Sequence, residues 1–305
     1  MKKTVLLLLS VCMTLLAQGD LHLFSVANKD GAITPKQIEQ SFVKNGFSIT
    51  LNNDMTKPFT IQFKKSDYKI FNLMTVYEPE LADKLLRVTP KAGVFIPMGV
   101  GIYQANDDDN LHVSILTSDA QAKIIGIKNN DLLKAIEKKA IKSITEALPN
   151  AKQTLSEDSL KENRDLVTLY EYELDDADDY DDAKEEIKMS LESNFAPKGF
   201  VLPATLDYEM GVLDENADSP FDFYESYSIC KLPVIYTVAK TRPEAAAFAP
   251  CTTVLYKVKG SDKIVMGFPA VYNWLSSAHV TDDAAHKELM KAQSDFEQIL
   301  KNITE

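Results

Sequence analysis

Cysteine and histidine are scarce in this chain, three of one and four of the other in 305 residues. That is too little for a disulfide-stapled scaffold or a zinc cluster. No CxxC or CxxCH pairs two cysteines, so thioredoxin-like and c-type haem readings lack their motif. Positive charge is also short: 33 Lys and Arg face 45 Asp and Glu, a net charge of −12. A phosphate backbone would be repelled by that balance, which argues against a nucleic-acid partner. The hydrolase and nucleotide motifs G-x-S-x-G, H-E-x-x-H and the P-loop are missing, and no nucleophile, base and oxyanion donor assemble in the sequence. These absences leave enzymatic activity open and favour a non-catalytic role over an enzyme of unrecognised type. With 11 Gly and 13 Pro the chain is neither collagen-like nor low-complexity, and 45% hydrophobic residues suffice for one large domain or two modest ones.

What is present begins at the N-terminus. Met1-Lys2-Lys3 precedes the apolar run TVLLLLSVCMTLLA, which ends at Ala17, and small residues at Ala17 and Gly19 lead to Asp20. This is the pattern of a secretory leader over residues 1–19. It predicts an exported, soluble, periplasmic protein with no membrane association after cleavage. No later stretch is apolar for long enough to span a bilayer. Cleavage would remove Cys12 and leave Cys230 and Cys251 as the only thiols.

The rest is organised by a long repeat. FIPMGVGIYQ from Phe95 lines up with FAPCTTVLYK from Phe248, an offset of 153 residues. The same offset carries Gly46-Phe47 onto Gly199-Phe200, and NLHVSI from Asn110 onto KIVMGF from Lys263. A shared offset over this span marks a tandem duplication. Each copy reads as a strand, an amphipathic helix ending near Gly46 or Gly199, further strands, and a long closing helix. PELADKLLRV after Pro79 has the spacing of a short helix, whereas its counterpart PVIYTVAK is rich in β-branched residues and less clearly helical. Thr281, with Asp282 and Asp283, offers a cap for the last helix. Helices and strands mix without regular βαβ alternation, which predicts α+β: two similar domains, each a mostly antiparallel sheet with helices against it. The boundaries are 20–148 and 166–305, joined by a polar linker at 149–165, with the two copies packed as a pseudo-dimer within one chain.

The block KIFNLMTVYEPELADKLLRVTPKAGVFIPMGVGIYQ resembles the domain-of-unknown-function 302 family, small α+β units with a Cys-Asn-Pro-like turn and a Leu-Pro-Cys-like strand. The first copy keeps Pro79 and Pro97 but has Tyr77 and Met98 where Cys often occurs. The second keeps Pro233, Pro250 and Cys251, and its Cys230 stands three residues before the proline instead of two. The resemblance implies a fold and no activity.

Cys230 and Cys251 are the leading candidates for chemistry. In an oxidising compartment they are open to two readings, a disulfide or buried thiols. Soft sulfur ligands suit copper(I), so Cys230 and Cys251 with Met98 or Met266 form an alternative metal or redox site; no cofactor is otherwise predicted. The acidic run ELDDADDYDDAKEE lacks the glycine of a calcium loop and reads as a solvated loop before a helix. His279 and His286, two helical turns apart, are too far separated to share a metal unaided. The function that fits export, duplication and the missing catalytic set is non-catalytic binding of a small molecule or protein, with periplasmic thiol or copper handling as the rival.

Overall fold

A computed structural model describes residues 19–161, 164–213 and 218–305. Almost all of the expected leader therefore lies outside the described residues. The first half runs β1 (Leu21–Ala27), α1 (Pro35–Lys44), β2 (Ser48–Asp54), α2 (Thr56–Phe63), β3 (Tyr68–Tyr77), α3 (Pro79–Val88), a 3₁₀ turn (Pro90–Phe95), β4 (Met98–Ala105), β5 (Asn110–Leu116), α4 (Ser118–Ile125), α5 (Asp131–Ala147) and β6 (Lys152–Leu155). The second runs β7 (Val167–Glu173), α6 (Asp181–Phe195), β8 (Val201–Asp207), α7 (Tyr208–Gly211), β9 (Phe221–Cys230), α8 (Leu232–Ala239), a 3₁₀ turn (Pro243–Phe248), β10 (Cys251–Val258), β11 (Lys263–Pro269), α9 (Tyr272–Ser277) and α10 (Asp283–Thr304). The fold is α+β and duplicated. The sheets have the strand orders β2-β3-β4-β5-β1-β6 and β8-β9-β10-β11-β7, with every pairing antiparallel.

Local chemistry explains the elements. Thr34 and Gln37 form a reciprocal capping box at α1, with Pro35 in the first turn. Gly46 and Gly199 both adopt positive φ, as an exit from the preceding helix requires. The segment PVIYTVAK lies in α8 up to Ala239, with Lys240 as the C-cap, despite its β-branched content. Pro233 sits in its first turn, and packing against α10 overrides local propensity. The cap of α10 is Asp282, which accepts from the Ala285 amide, one position after the expected Thr281. Residues 152–155, placed in the linker by composition, form β6 along the free edge of β1. Their side chains are exposed, so no apolar alternation marks them, and pairing of the main chain alone makes the strand.

The two halves meet through their 3₁₀ turns. The turn at 90–95 lies on β10 and β11, and its equivalent at 243–248 lies on β4 and β5. In each half a cis proline follows the turn, Pro97 or Pro250. Strand alternation gives each sheet two faces. The face carrying Gly99, Gly101 and Tyr103 receives the opposite turn, where a side chain on Gly99 would come within 2.4 Å of the Ala247 carbonyl oxygen. Thr252, at the position equivalent to Gly99, hydrogen-bonds the Pro97 carbonyl across the interface at 3.2 Å. Tyr208, Tyr224 and Tyr256 stack with centroids 4.5 and 4.9 Å apart. The hydroxyls of Tyr208 and Tyr224 donate to the carbonyls of Ile96 and Pro90, the two ends of the opposite turn.

Gly99→Ala places a methyl against main chain that cannot rotate away. The expected loss is about 1–3 kcal/mol of stability, the usual range for an overpacked core. Chemical denaturation of the variant checks it, and an unchanged midpoint would contradict this description of the interface.

Candidate functional site

The register of β9 and β10 sets the geometry. Cys251 lies opposite Ile229, so both face the helices of the second half, and Thr253 follows on the same face. Cys230 is one residue beyond Ile229 and starts on the opposite face, toward the first half. β9 ends there, paired with Val201 of β8, and β10 begins at Cys251, so both cysteines stand at one end of the sheet.

An apolar cavity of about 50 Å³ occupies this end of the second half. Its walls include Cys230, Cys251, Thr253, Trp274, Phe200, Phe268 and Phe296. Thr253 is 1% and Trp274 4% exposed, and neither Thr253 Oγ1 nor Trp274 Nε1 has a hydrogen-bond partner. Such a group costs about 1–3 kcal/mol when left unpaired in a protein interior. Of the four such atoms among the described residues, these two belong to residues of the cavity wall; the others are Ser114 Oγ and Asn273 Oδ1.

Next to it, between the halves, is a cleft of about 790 Å³ whose lining runs from Leu51, Met55 and Leu73 to Lys198, Lys231 and Lys291. Cys230 and Lys231 belong to both walls. Lys231 is buried, ion-paired to Asp295 at 2.7 Å and lies over the Phe200 ring at 4.9 Å. Lys291 and Lys198 reach the same carboxylate at 2.6 and 3.5 Å. Burial alone would raise the Asp295 pKa; hydrogen bonds and charge from Lys231 and Lys291 outweigh it and bring it to about 2. The first half has the reverse polarity. Glu78, at the position equivalent to Lys231, pairs with Lys139 on α5 and caps α3 through the Leu81 amide at 2.7 Å.

Of the residues singled out from sequence, the fold brings Cys230, Cys251 and Pro250 into the cavity wall, and Cys230 and Pro233 into the cleft. Tyr77 is not part of either lining; its hydroxyl donates to the Gly211 carbonyl of the other half at 3.1 Å. Pro79 opens α3, Pro97 accepts from Thr252, and Met98 is buried in β4. Met266 lies in β11 opposite Leu255. Both cysteines are free thiols. Burial raises their pKa values, Cys251 to about 12 and Cys230 further, the latter also through the neighbouring Cys251. Among the described residues, no three His, Cys, Asp or Glu side chains converge as a metal site. His279 pairs with Asp158 at 3.2 Å, and the acidic run leads into the first turn of α6. Sequence reasoning missed Thr253, Trp274, Lys231 and Asp295. Trp274 is the sole tryptophan of the chain, which was the one available signal.

Two outcomes follow from these shifts. Neither thiol reacts with iodoacetamide in the native protein at pH 8, and both react in denaturant without prior reduction, as mass spectrometry would show; labelling that needs a reductant would mean a disulfide. Because the Asp295 pKa is depressed on folding, its contribution is complete above about pH 4 and is lost as pH falls toward 2. Asp295→Asn is expected to cost roughly 3 kcal/mol at neutral pH, as for a buried pair that loses one partner, and to flatten the acid limb of the stability curve in that window.

No curated protein matches the chain. A solved structure described as an uncharacterized conserved protein DUF302 from Bacillus stearothermophilus is similar at 18% identity and a TM-score of 0.35, over 41% of this chain and 97% of that one. The family profile described as domain of unknown function DUF302 matches residues 25–151 and again 178–303. With a duplicated antiparallel α+β fold and most of its length covered by two matches, the chain belongs to the DUF302 family and carries two tandem copies of its domain.

Proposed function

We propose that this chain is an exported, non-catalytic binding protein that holds the apolar end of a small ligand in the cavity of its second half. The observation that carries the reading is the pair of buried, unpartnered polar atoms, Thr253 Oγ1 and Trp274 Nε1, on residues of a mostly apolar wall whose other polar members, Lys231 and Gln293, are already paired. Indole N–H only donates, so a ligand with a hydrogen-bond acceptor would satisfy it. Small pockets with apolar walls and a few polar groups are the usual form of such sites. The chemistry of the wall favours binding over catalysis. Thr253 has no base within hydrogen-bond reach, and the thiols are held in their protonated, weakly nucleophilic form. Export rests on the N-terminal leader pattern. Among the described residues, no helix is long and apolar enough to cross a membrane. The two copies are read as a pseudo-dimer that leaves the chain monomeric in solution.

A second reading, thiol or copper handling, has one observation in its favour: Cys230 and Cys251 line the same cavity. Stoichiometric copper(I) binding by the reduced protein, lost in Cys230→Ser, would establish it.

The binding reading is tested with octanol. Since Trp274 is the only tryptophan, its emission reports the cavity directly, and a bound ligand also raises Tm. Saturable changes in both are expected. Cys251→Met, which inserts the residue found at the same position of the first copy, is expected to abolish them while the protein stays folded. No change in either signal with octanol or octanoate, up to their solubility limits, would refute the proposal.

A further inference from the structure

We infer that the ligand is an amphiphile with an anionic head, its tail end in the apolar cavity and its head in the cleft against Lys198, Lys231 and Lys291. This rests on the binding reading above and adds the chemical class. The first argument is size. A cavity of about 50 Å³ is a few times the space one water needs, so it takes only the end of a larger molecule. The remainder has to lie in the adjoining cleft of about 790 Å³.

The second argument is continuity. The two linings share Cys230 and Lys231 and alternate along the same segments: Phe200 is in the cavity wall, with Gly199 and Val201 in the cleft wall. Leu289 and Ala292 face the cavity while Glu288 and Lys291 on the same helix face the cleft. A chain running from the cavity into the cleft would cross beside Cys230 and Lys231, the residues common to both linings.

The third argument is charge. Three ammonium groups converge on the single carboxylate of Asp295, which its depressed pKa keeps ionised, so the cluster carries an excess of two positive charges. It does so in a chain whose net charge is −12. The cleft also contains Asp54 and Glu288. Asp54 lies on the far wall, where its carboxylate accepts from the Thr56 amide at 2.9 Å and the Thr56 hydroxyl at 2.6 Å. Lys198 and Lys291 remain substantially exposed while touching Asp295, so both can turn to a head group without unburying a charge. A carboxylate or sulfate head accepts hydrogen bonds and carries the complementary sign.

Octanol and octanoate, which differ only in the head, are titrated against the full chain with Trp274 emission and Tm as readouts. Octanoate is expected to bind at least about tenfold more tightly at low salt, the size of one charge-assisted hydrogen bond. The double variant Lys198→Gln/Lys291→Gln, at two exposed positions, should remove that advantage and leave octanol binding unchanged. Equal affinity for the two compounds overturns the anionic head and leaves the binding reading standing. A preference for octanoate that survives the double variant overturns the assignment of the head to this cluster. Binding of neither compound overturns both readings.

Discussion

The structure depends on one reciprocal contact: each half lays its 3₁₀ turn on the sheet of the other. Such turns leave main-chain carbonyls without partners inside their own half, and buried carbonyls must be paired. The second half supplies that pairing with the hydroxyls of Tyr208 and Tyr224, whose rings are buried in a stack with Tyr256. In return the first half presents Gly99 and Gly101, where the absence of side chains lets residues 246–249 approach β4. Neither surface is complete alone. Apolar burial and hydrogen bonding act at the same place, so the relative position of the halves is set by geometry more than by the linker.

The cleft and the cavity are consequences of that seating. Fixing the turns against the sheets brings the edge strands β2 and β8 near one another and leaves a gap beside them, walled by α2 and β2 on one side and α8 and α10 on the other. At its base β9 ends and β10 starts, and Cys230 and Lys231 line both the cavity of the second half and the gap. The copies have diverged at this point. The first has Tyr77, Glu78 and Met98 where the second has Cys230, Lys231 and Cys251. Tyr77 is used to bind the other half, and the Glu78–Lys139 pair is reversed in sign to Lys231–Asp295. At these positions one copy contributes to the interface between the halves, while the other lines the cavity and the cleft.

Two unpaired polar groups and small side chains at a core position reduce stability, and the surrounding core offsets this. Phe195, Phe200, Phe268 and Phe296 form a connected aromatic cluster beside the cavity, with centroids between 4.2 and 6.0 Å apart. Aromatic pairs of this kind add to the burial of their own surface. Phe200, Phe268 and Phe296 of this cluster form part of the cavity wall.

The amino-acid sequence by itself determined the duplication, the α+β class and most strands, because these rest on local periodicity and a constant offset. Tyr68–Tyr77 and Phe221–Cys230 are legible as strands, and Pro79–Val88 as a helix, from residues within a few positions of one another. Cys230 and Cys251 were legible as candidates by scarcity alone. Tertiary structure decided the remainder. β6 forms only because β1 offers an edge, and PVIYTVAK is helical because α10 packs on it. Thr253 carries no mark in sequence and Trp274 only that of being the sole tryptophan; their significance is that packing leaves Oγ1 and Nε1 without partners. Lys231 and Asp295 are separated by 64 positions, and nothing in either neighbourhood indicates the other. A site assembled from strand ends, a helix face and an interface between repeats exists only once the chain has closed on itself, since no local pattern encodes distance between segments.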